Sequence, residues 1–174
     1  MAWNEVFMTW NEYFFEMCRC VSQKSKDRDT KHGCVIVGPD NEPRSTGFNG
    51  FPRGVIDSTK FGSFVNNMKI TESLVDERCA RPEKYIWTEH AERNAIYAAA
   101  RIGTALKGCK IYVTGLPCYD CARAIIQSGI IEVFIDKYDE EYIQTSNDRY
   151  RFDAAIQMFL EAGVKLHISK ETTI

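Results

Sequence analysis

Residues 89–100 read EHAERNAIYAAA, and twenty-eight positions after the histidine comes the first cysteine of PCYDC (117–121). His90, Glu92, Cys118 and Cys121 therefore offer one imidazole, one carboxylate and two thiols. Two thiolates and an imidazole are the donor set of tetrahedral zinc. Three protein ligands leave a fourth position for water, as in catalytic sites, whereas structural sites are closed by a fourth residue. Zinc lowers the pKa of bound water to about 7. Glu92, which is not counted as a ligand, can take the proton from that water and pass it to a leaving group. The competing reading is a closed structural zinc with Cys109, Cys79 or Cys34 as fourth ligand, and it leaves Glu92 without a role.

These residues need elements that bring them together. His90 and Glu92 are two apart, about 200° round a helix, so they share no face. They serve one centre only if it lies off a helix N-terminus, toward which helical side chains lean. The alanine-rich stretch from Glu89 to Arg101, ended near Gly103, predicts such a helix, with both residues in its first turn. Cys118 and Cys121 fall in the first turn of a second helix over 118–129. Both positive dipole ends would then favour thiolates.

Around this pair the apolar spacing predicts a first helix over 3–22, a hairpin of 33–38 and 44–50 about the turn PDNEP, and strands at 109–115, 130–135 and 164–168. A helix over 149–163 precedes the last strand. Residues 50–88 lack a clear period, and GSFVNNMKITESLVDER within them reads as a helix. The order α-β-β-α-β-α-β-α-β predicts an α/β fold, a five-stranded mixed sheet with helices on both faces in a three-layer sandwich. Residues 1–174 read as one domain with an inserted loop or helical segment at about 50–88.

A net charge of −2 over 174 residues gives no general attraction for nucleic acid or anionic membrane. No run approaches the roughly 20 apolar residues of a membrane span. The first residues carry Glu5 and Glu12 and no basic start, so no signal peptide is expected. With seven cysteines, an odd number, thiols serve metal or packing in a reducing compartment, and the expected location is cytoplasmic. Cys18 and Cys20 read as packing residues, and His32 and His167 as ordinary polar positions.

His-x-Glu followed by Pro-Cys-x-x-Cys is the signature of zinc nucleobase deaminases. With HAERNAI, YVTGLPCYDCARAIIQSGI, STGFNGFPRG and SKDRDTKHGCVIV in view, the chain from about Ser22 to residue 164 resembles the deoxycytidylate (dCMP) deaminases of phage and eukaryotic type. The resemblance implies a cytidine-deaminase-like fold and zinc-dependent conversion of dCMP to dUMP and ammonia. dUMP is the precursor used for thymidylate synthesis. It implies substrate contacts from Asn49 to the sugar or ring, and from Ser25, Arg101 and Tyr138 to the 5′-phosphate. Homo-hexamers, activation by dCTP with Mg²⁺ and inhibition by dTTP are implied too. Asn49, Gly50, Arg53, Gly54 and Asp57 are the effector residues so expected, on a glycine-rich loop whose N–H groups can approach phosphates. Glu89 departs from the family pattern, where an aliphatic residue usually precedes the histidine. Deamination of another base or of nucleic acid is the nearest alternative, and a non-catalytic zinc nucleotide-binding module the more distant one.

Overall fold

The computed structural model describes residues 7–57, 63–65 and 68–169. In chain order the elements are α1 (Trp10–Ser22), β1 (Gly33–Val37), β2 (Pro43–Phe48), β3 (Ser63–Val65), β4 (Met68–Ile70), α2 (Glu72–Cys79), α3 (Lys84–Trp87), α4 (Ala91–Ile102), β5 (Lys110–Gly115), α5 (Tyr119–Gln127), β6 (Glu132–Lys137), α6 (Glu140–Tyr150), α7 (Phe152–Glu161) and β7 (Lys165–Ile168). Five strands form the main sheet in the order β2-β1-β5-β6-β7. β1 is antiparallel to both its neighbours, while β5, β6 and β7 run parallel.

The sheet separates two apolar layers, as the alternation in GCVIV requires. Cys34 and Ile36 of β1 join the face covered by α4, α5 and α7, where Ala95, Ile125 and Phe159 are fully buried. Val35 and Val37 point the other way, onto Phe14, Phe15 and Cys18 of α1. The mixed five-stranded sheet with helices on both faces is thus as expected.

One close approach sets the position of α4. A side chain on Gly47 of β2 would put its Cβ 2.1 Å from the Ala91 carbonyl oxygen and 2.4 Å from Ala95 N. Only glycine lets the strand meet the helix there, and Ala91, Ala95 and Ala99, four apart, present the small face that fits. Ser45 Oγ donates to the Ala95 carbonyl at 2.7 Å and fixes the same contact.

Three expectations need correction. The helix over 62–78 is instead the strand pair β3 and β4 followed by α2, whose start is set by Thr71 accepting the Leu74 N–H at 3.2 Å. The helix over 149–163 is α7, Phe152–Glu161, and its expected first residues, Arg149 and Tyr150, instead close a separate helix, α6, that was not expected. Arg151, in the left-handed region at φ 44°, ends α6 and begins α7. The first helix starts at Trp10, because Thr9 and Glu12 cap each other: Thr9 Oγ1 accepts the Glu12 N–H, and Glu12 Oε2 accepts the Thr9 N–H. Residues 3–6 of the expected helix lie outside the described residues.

Candidate active site

His90 and Cys118 are the N-cap residues of α4 and α5, with extended backbones at φ −75° and −72°. The expectation had placed both inside the first turn. Neither side chain makes a cap hydrogen bond, so both are free to face outward. Cys121 follows within the first turn of α5. His90 Nδ1 lies 3.4 Å from Cys118 Sγ and 3.5 Å from Cys121 Sγ. A tetrahedral zinc with its usual bond lengths sets an N···S edge of about 3.6 Å, so the donor set fits that ion. Among the described residues these three are the one group of metal-type donors, all within 4.8 Å of one another. Cys34, Cys79 and Cys109 do not join them, which removes the expected competitors for a fourth position.

The electrostatics suit thiolate ligands. Sharing a proton with Cys121, and lying against the His90 ring, pulls Cys118 down to about 4. Burial pushes Cys121 up. One thiol of the pair therefore ionises readily, and a cation would release the remaining proton. Burial opposes the His90 cation, but Cys118 and Glu92 beside it raise its pKa overall. Glu92 is buried at 7% exposure, and desolvation raises its carboxyl above the ordinary range. That shift brings a carboxylate toward the neutral range where proton transfer in both directions is efficient.

These groups open onto a cavity of about 190 Å³, lined among others by His90, Glu92, Cys118 and Asn49. Asn49 is buried and tied into the frame. Its Oδ1 accepts the Ala91 N–H at 3.0 Å, supplying the cap that His90 leaves unmade, and Nδ2 donates to the Thr30 carbonyl at 3.2 Å. One Nδ2 hydrogen remains for a ligand. The backbone of Gly50 pairs with that of Glu89 in both directions, at 2.9 and 3.1 Å, so the GFNG turn is stitched to the entry of α4. Glu89 accepts the His90 N–H and pairs with Arg93 at 2.5 Å, and Arg93 reaches Asp120 of α5 at 3.5 Å. The acid that departs from the family pattern thus helps hold the two helix starts together.

Other expected contacts fare differently. Ser25 is buried, donates to the Asn49 carbonyl at 2.7 Å and accepts the Asp27 N–H at 3.2 Å. It does not line the cavity; it positions Asn49. Arg101 is exposed in the last turn of α4. Eleven residues from His90 is about 16 Å along a helix, so within one chain it does not meet a ligand held at the other end. Tyr138 is not a lining residue either, whereas its neighbours Lys137 and Asp139 are. Of the expected effector residues, Gly50 and Asp57 line a second hollow with Lys26, Phe51, Cys79 and Thr88, and Asp57 pairs with Lys26 at 2.6 Å. At about 20 Å³ it has room for a water and not for a nucleotide. Arg53 is exposed, and Gly54, at φ 87°, faces open space.

Much of the remaining wall was not anticipated. α6 brings Tyr142, Ile143 and Tyr150, and α3 brings Lys84 and Tyr85. A sequence signal for α6 existed in Asp139, whose side chain accepts the Tyr142 N–H at 2.9 Å ahead of Glu140 and Glu141. His32, expected to be an ordinary polar position, also lines the cavity.

The profile of the cytidine and deoxycytidylate deaminase zinc-binding region matches residues 8–137. The chain belongs to that family. It is therefore a deaminase of a zinc-binding family, and His90, Cys118 and Cys121 are its candidate metal ligands. Among its relatives, a deaminase of Aliivibrio fischeri from the luxG 3′ region is 38% identical over 157 residues, 90% of this chain and 91% of that one. The human deoxycytidylate deaminase is 35% identical over 160 residues, 91% of this chain and 78% of that one. The dCMP deaminase of cyanophage S-TIM5, in a crystal structure with dCMP and dUMP, shares the fold with a TM-score of 0.64 at 22% identity. That match covers 94% of this chain and 100% of the phage chain.

Proposed function

We propose that the deaminase converts dCMP to dUMP and ammonia by hydrolysis, with zinc held by His90, Cys118 and Cys121 and with Glu92 moving the protons. The observation that carries the chemistry is the meeting of the three donors at 3.4 and 3.5 Å beside a buried Glu92 on one cavity. Zinc bound there would supply a hydroxide nucleophile at neutral pH. Glu92 takes one proton from the attacking water to the ring nitrogen, then carries the second, from the hydroxyl now on the carbon, to the amine, which leaves as ammonia as the carbonyl forms. Desolvation of Glu92 suits it to both halves of that transfer. The choice of dCMP is supported by the human deoxycytidylate deaminase, similar over 91% of this chain. It is supported too by Lys137 on the cavity wall, a cation suited to a phosphate.

The same reading makes the product a supply for thymidylate synthesis in the cytoplasm and the assembly a homo-hexamer. dCTP with Mg²⁺ activates it and dTTP inhibits it, acting through the loop of Asn49, Gly50, Arg53, Gly54 and Asp57. Since the hollow beside Gly50 and Asp57 has room only for a water, the loop must open to admit a triphosphate.

The test is the ultraviolet change as cytosine becomes uracil, using zinc-loaded protein with dCMP, then with dCTP and Mg²⁺, with dTTP, and with Glu92→Ala. Turnover that responds to both effectors, and that vanishes in Glu92→Ala with bound zinc retained, is the expected outcome. Wild-type protein inert toward dCMP under every effector would end the substrate reading. A Glu92→Ala protein that still turns over would end the proton-transfer reading.

A further inference from the structure

One nitrogen on the cavity wall has no part in the reaction described so far. His32 lies just ahead of β1, and its ring stands against β5. Nδ1 is 2.8 Å from Thr114 Oγ1, and the ring fills the space a side chain on Gly115 would need, since a Cβ there would come 2.9 Å from Cε1. Thr114 Oγ1 also accepts the Gly33 N–H at 3.2 Å. A hydroxyl has a single proton to give. If Nδ1 carried the imidazole proton, the Thr114 O–H would have no acceptor among the described residues. If Thr114 instead donates to Nδ1, the hydroxyl is used in both its roles, the ring proton sits on Nε2, and that hydrogen is the one left without a partner among the described residues. The ring is neutral: burial, then the nearby His90, hold its pKa down to about 4, Lys84 acting in the same sense and Asp27 against it.

We propose that His32 presents a fixed, uncharged Nε2–H donor to an uncharged oxygen of the substrate's base or sugar, and thereby sets substrate affinity. This rests on the reading that the cavity takes dCMP. An uncharged donor is matched to an uncharged acceptor, while Lys137 on the same wall is the group suited to the phosphate. Asn49 has one free hydrogen left after capping α4 and holding Thr30, and the His32 N–H adds a second neutral donor on the same wall. Thr114 and Gly115 lead directly into Leu116, Pro117 and Cys118, so the strand that anchors the donor also leads to the metal ligand. The donor is thereby held in register with the reacting end of the cavity.

The test uses the zinc-loaded full chain. His32→Phe keeps a ring and removes the N–H; its KM for dCMP should rise about tenfold, roughly what one neutral hydrogen bond supplies, with kcat little changed. Bound zinc should match the wild type, while the melting temperature falls modestly in His32→Phe because Thr114 loses its Nδ1 acceptor. His32→Gln, which returns an N–H near the place of Nε2, should recover most of the loss. Repeating the comparison with the 3′-deoxy analogue separates the two acceptors, because a sugar contact there makes His32→Phe and wild type alike. Nitrogen-15 NMR of the wild type, without substrate, should find the His32 proton on Nε2. A proton on Nδ1, an unchanged KM in His32→Phe, or a His32→Gln protein no better than His32→Phe would overturn the proposal. A wild type inert toward dCMP would overturn the substrate reading alone, since the NMR arm still decides the orientation of the donor.

Discussion

Replacing Lys84 by Met tests how the connection over residues 50–88 is fastened to the cavity. Lys84 is 4% exposed although it sits on a four-residue helix in that connection. Its Nζ lies 2.9 Å from Asp27 Oδ1 and 3.1 Å from Asp29 Oδ2. The side chain of Asp27 is only 4% exposed, so this pair is desolvated; that of Asp29 is 47% exposed and screened. Met keeps the stem and removes the charge, leaving Asp27 buried without its cation. Breaking such a pair from one side costs about 3–5 kcal/mol. The low end applies, because Asp27 Oδ1 keeps the N–H groups of Asp29 and Thr30, each at 2.9 Å. Lys84→Met is therefore expected to lose about 3 kcal/mol in urea unfolding at pH 7. Adding Asp27→Asn should make the double variant less destabilised than the sum of the single ones by about 2 kcal/mol. A loss below about 1 kcal/mol in Lys84→Met, against the 3–5 of a one-sided break, would refute the reasoning. So would a double variant that equals the sum.

Three further outcomes follow from the same frame. Gly47→Ala drives a Cβ into the backbone of α4, at Ala91 O and Ala95 N, where no side chain can yield. It should cost about 1–3 kcal/mol and weaken zinc in chelator competition, because α4 begins beside His90. Asn49→Ala removes the acceptor for the Ala91 N–H; a lowered melting temperature equivalent to about 1 kcal/mol is expected, with KM for dCMP raised as well. For Asp27, burial alone would raise the pKa, but the hydrogen bonds from Lys84, Thr30 and Asp29 outweigh it and the folded value lies below the ordinary one. Its contribution is present above the unfolded carboxylate pKa of about 3.9 and is lost as pH falls through the lower folded value. The acid limb of a stability–pH curve should accordingly be shallower in Asp27→Asn.

The chemistry was legible because zinc and proton transfer demand rare residue types at fixed short spacings, which survive in the sequence whatever surrounds them. The sheet was legible for a similar reason: GCVIV and KIYVTG alternate between two buried faces, and Ala91, Ala95 and Ala99 repeat every fourth position. α6 was not, because EEYIQTSNDRY buries no residue fully and so lacks an apolar stripe. Its cap at Asp139 was the surviving signal. β3 and β4 are three residues each, too short for a period to show. Arg101, Ser25 and Tyr138 were drawn from family likeness alone. Spacing along one chain does not say which end of a helix faces a pocket, or whether a hydroxyl is already occupied by its own backbone.

Placing His90 and Cys118 at N-cap positions, and not inside the first turn, has a physical consequence. An N-cap side chain ordinarily bends back to accept a helix N–H, and a side chain unable to do so forfeits about 1 kcal/mol. His90 and Cys118 make no such bond, which leaves the imidazole and thiol aimed past the helix end, where the dipoles favour negative charge. For α4 the missing acceptor comes from elsewhere: Asn49 at the end of β2 takes the Ala91 N–H, and Ser25 in turn holds the Asn49 backbone. The turn that caps the helix is therefore the same turn that walls the cavity. A shift of the Ser25–Asn49 contact displaces the cap, and with it the imidazole, toward or away from Cys118 and Cys121. An effector opening the neighbouring loop at Gly50 would act on the metal-binding end through that one turn, without needing any movement of the sheet.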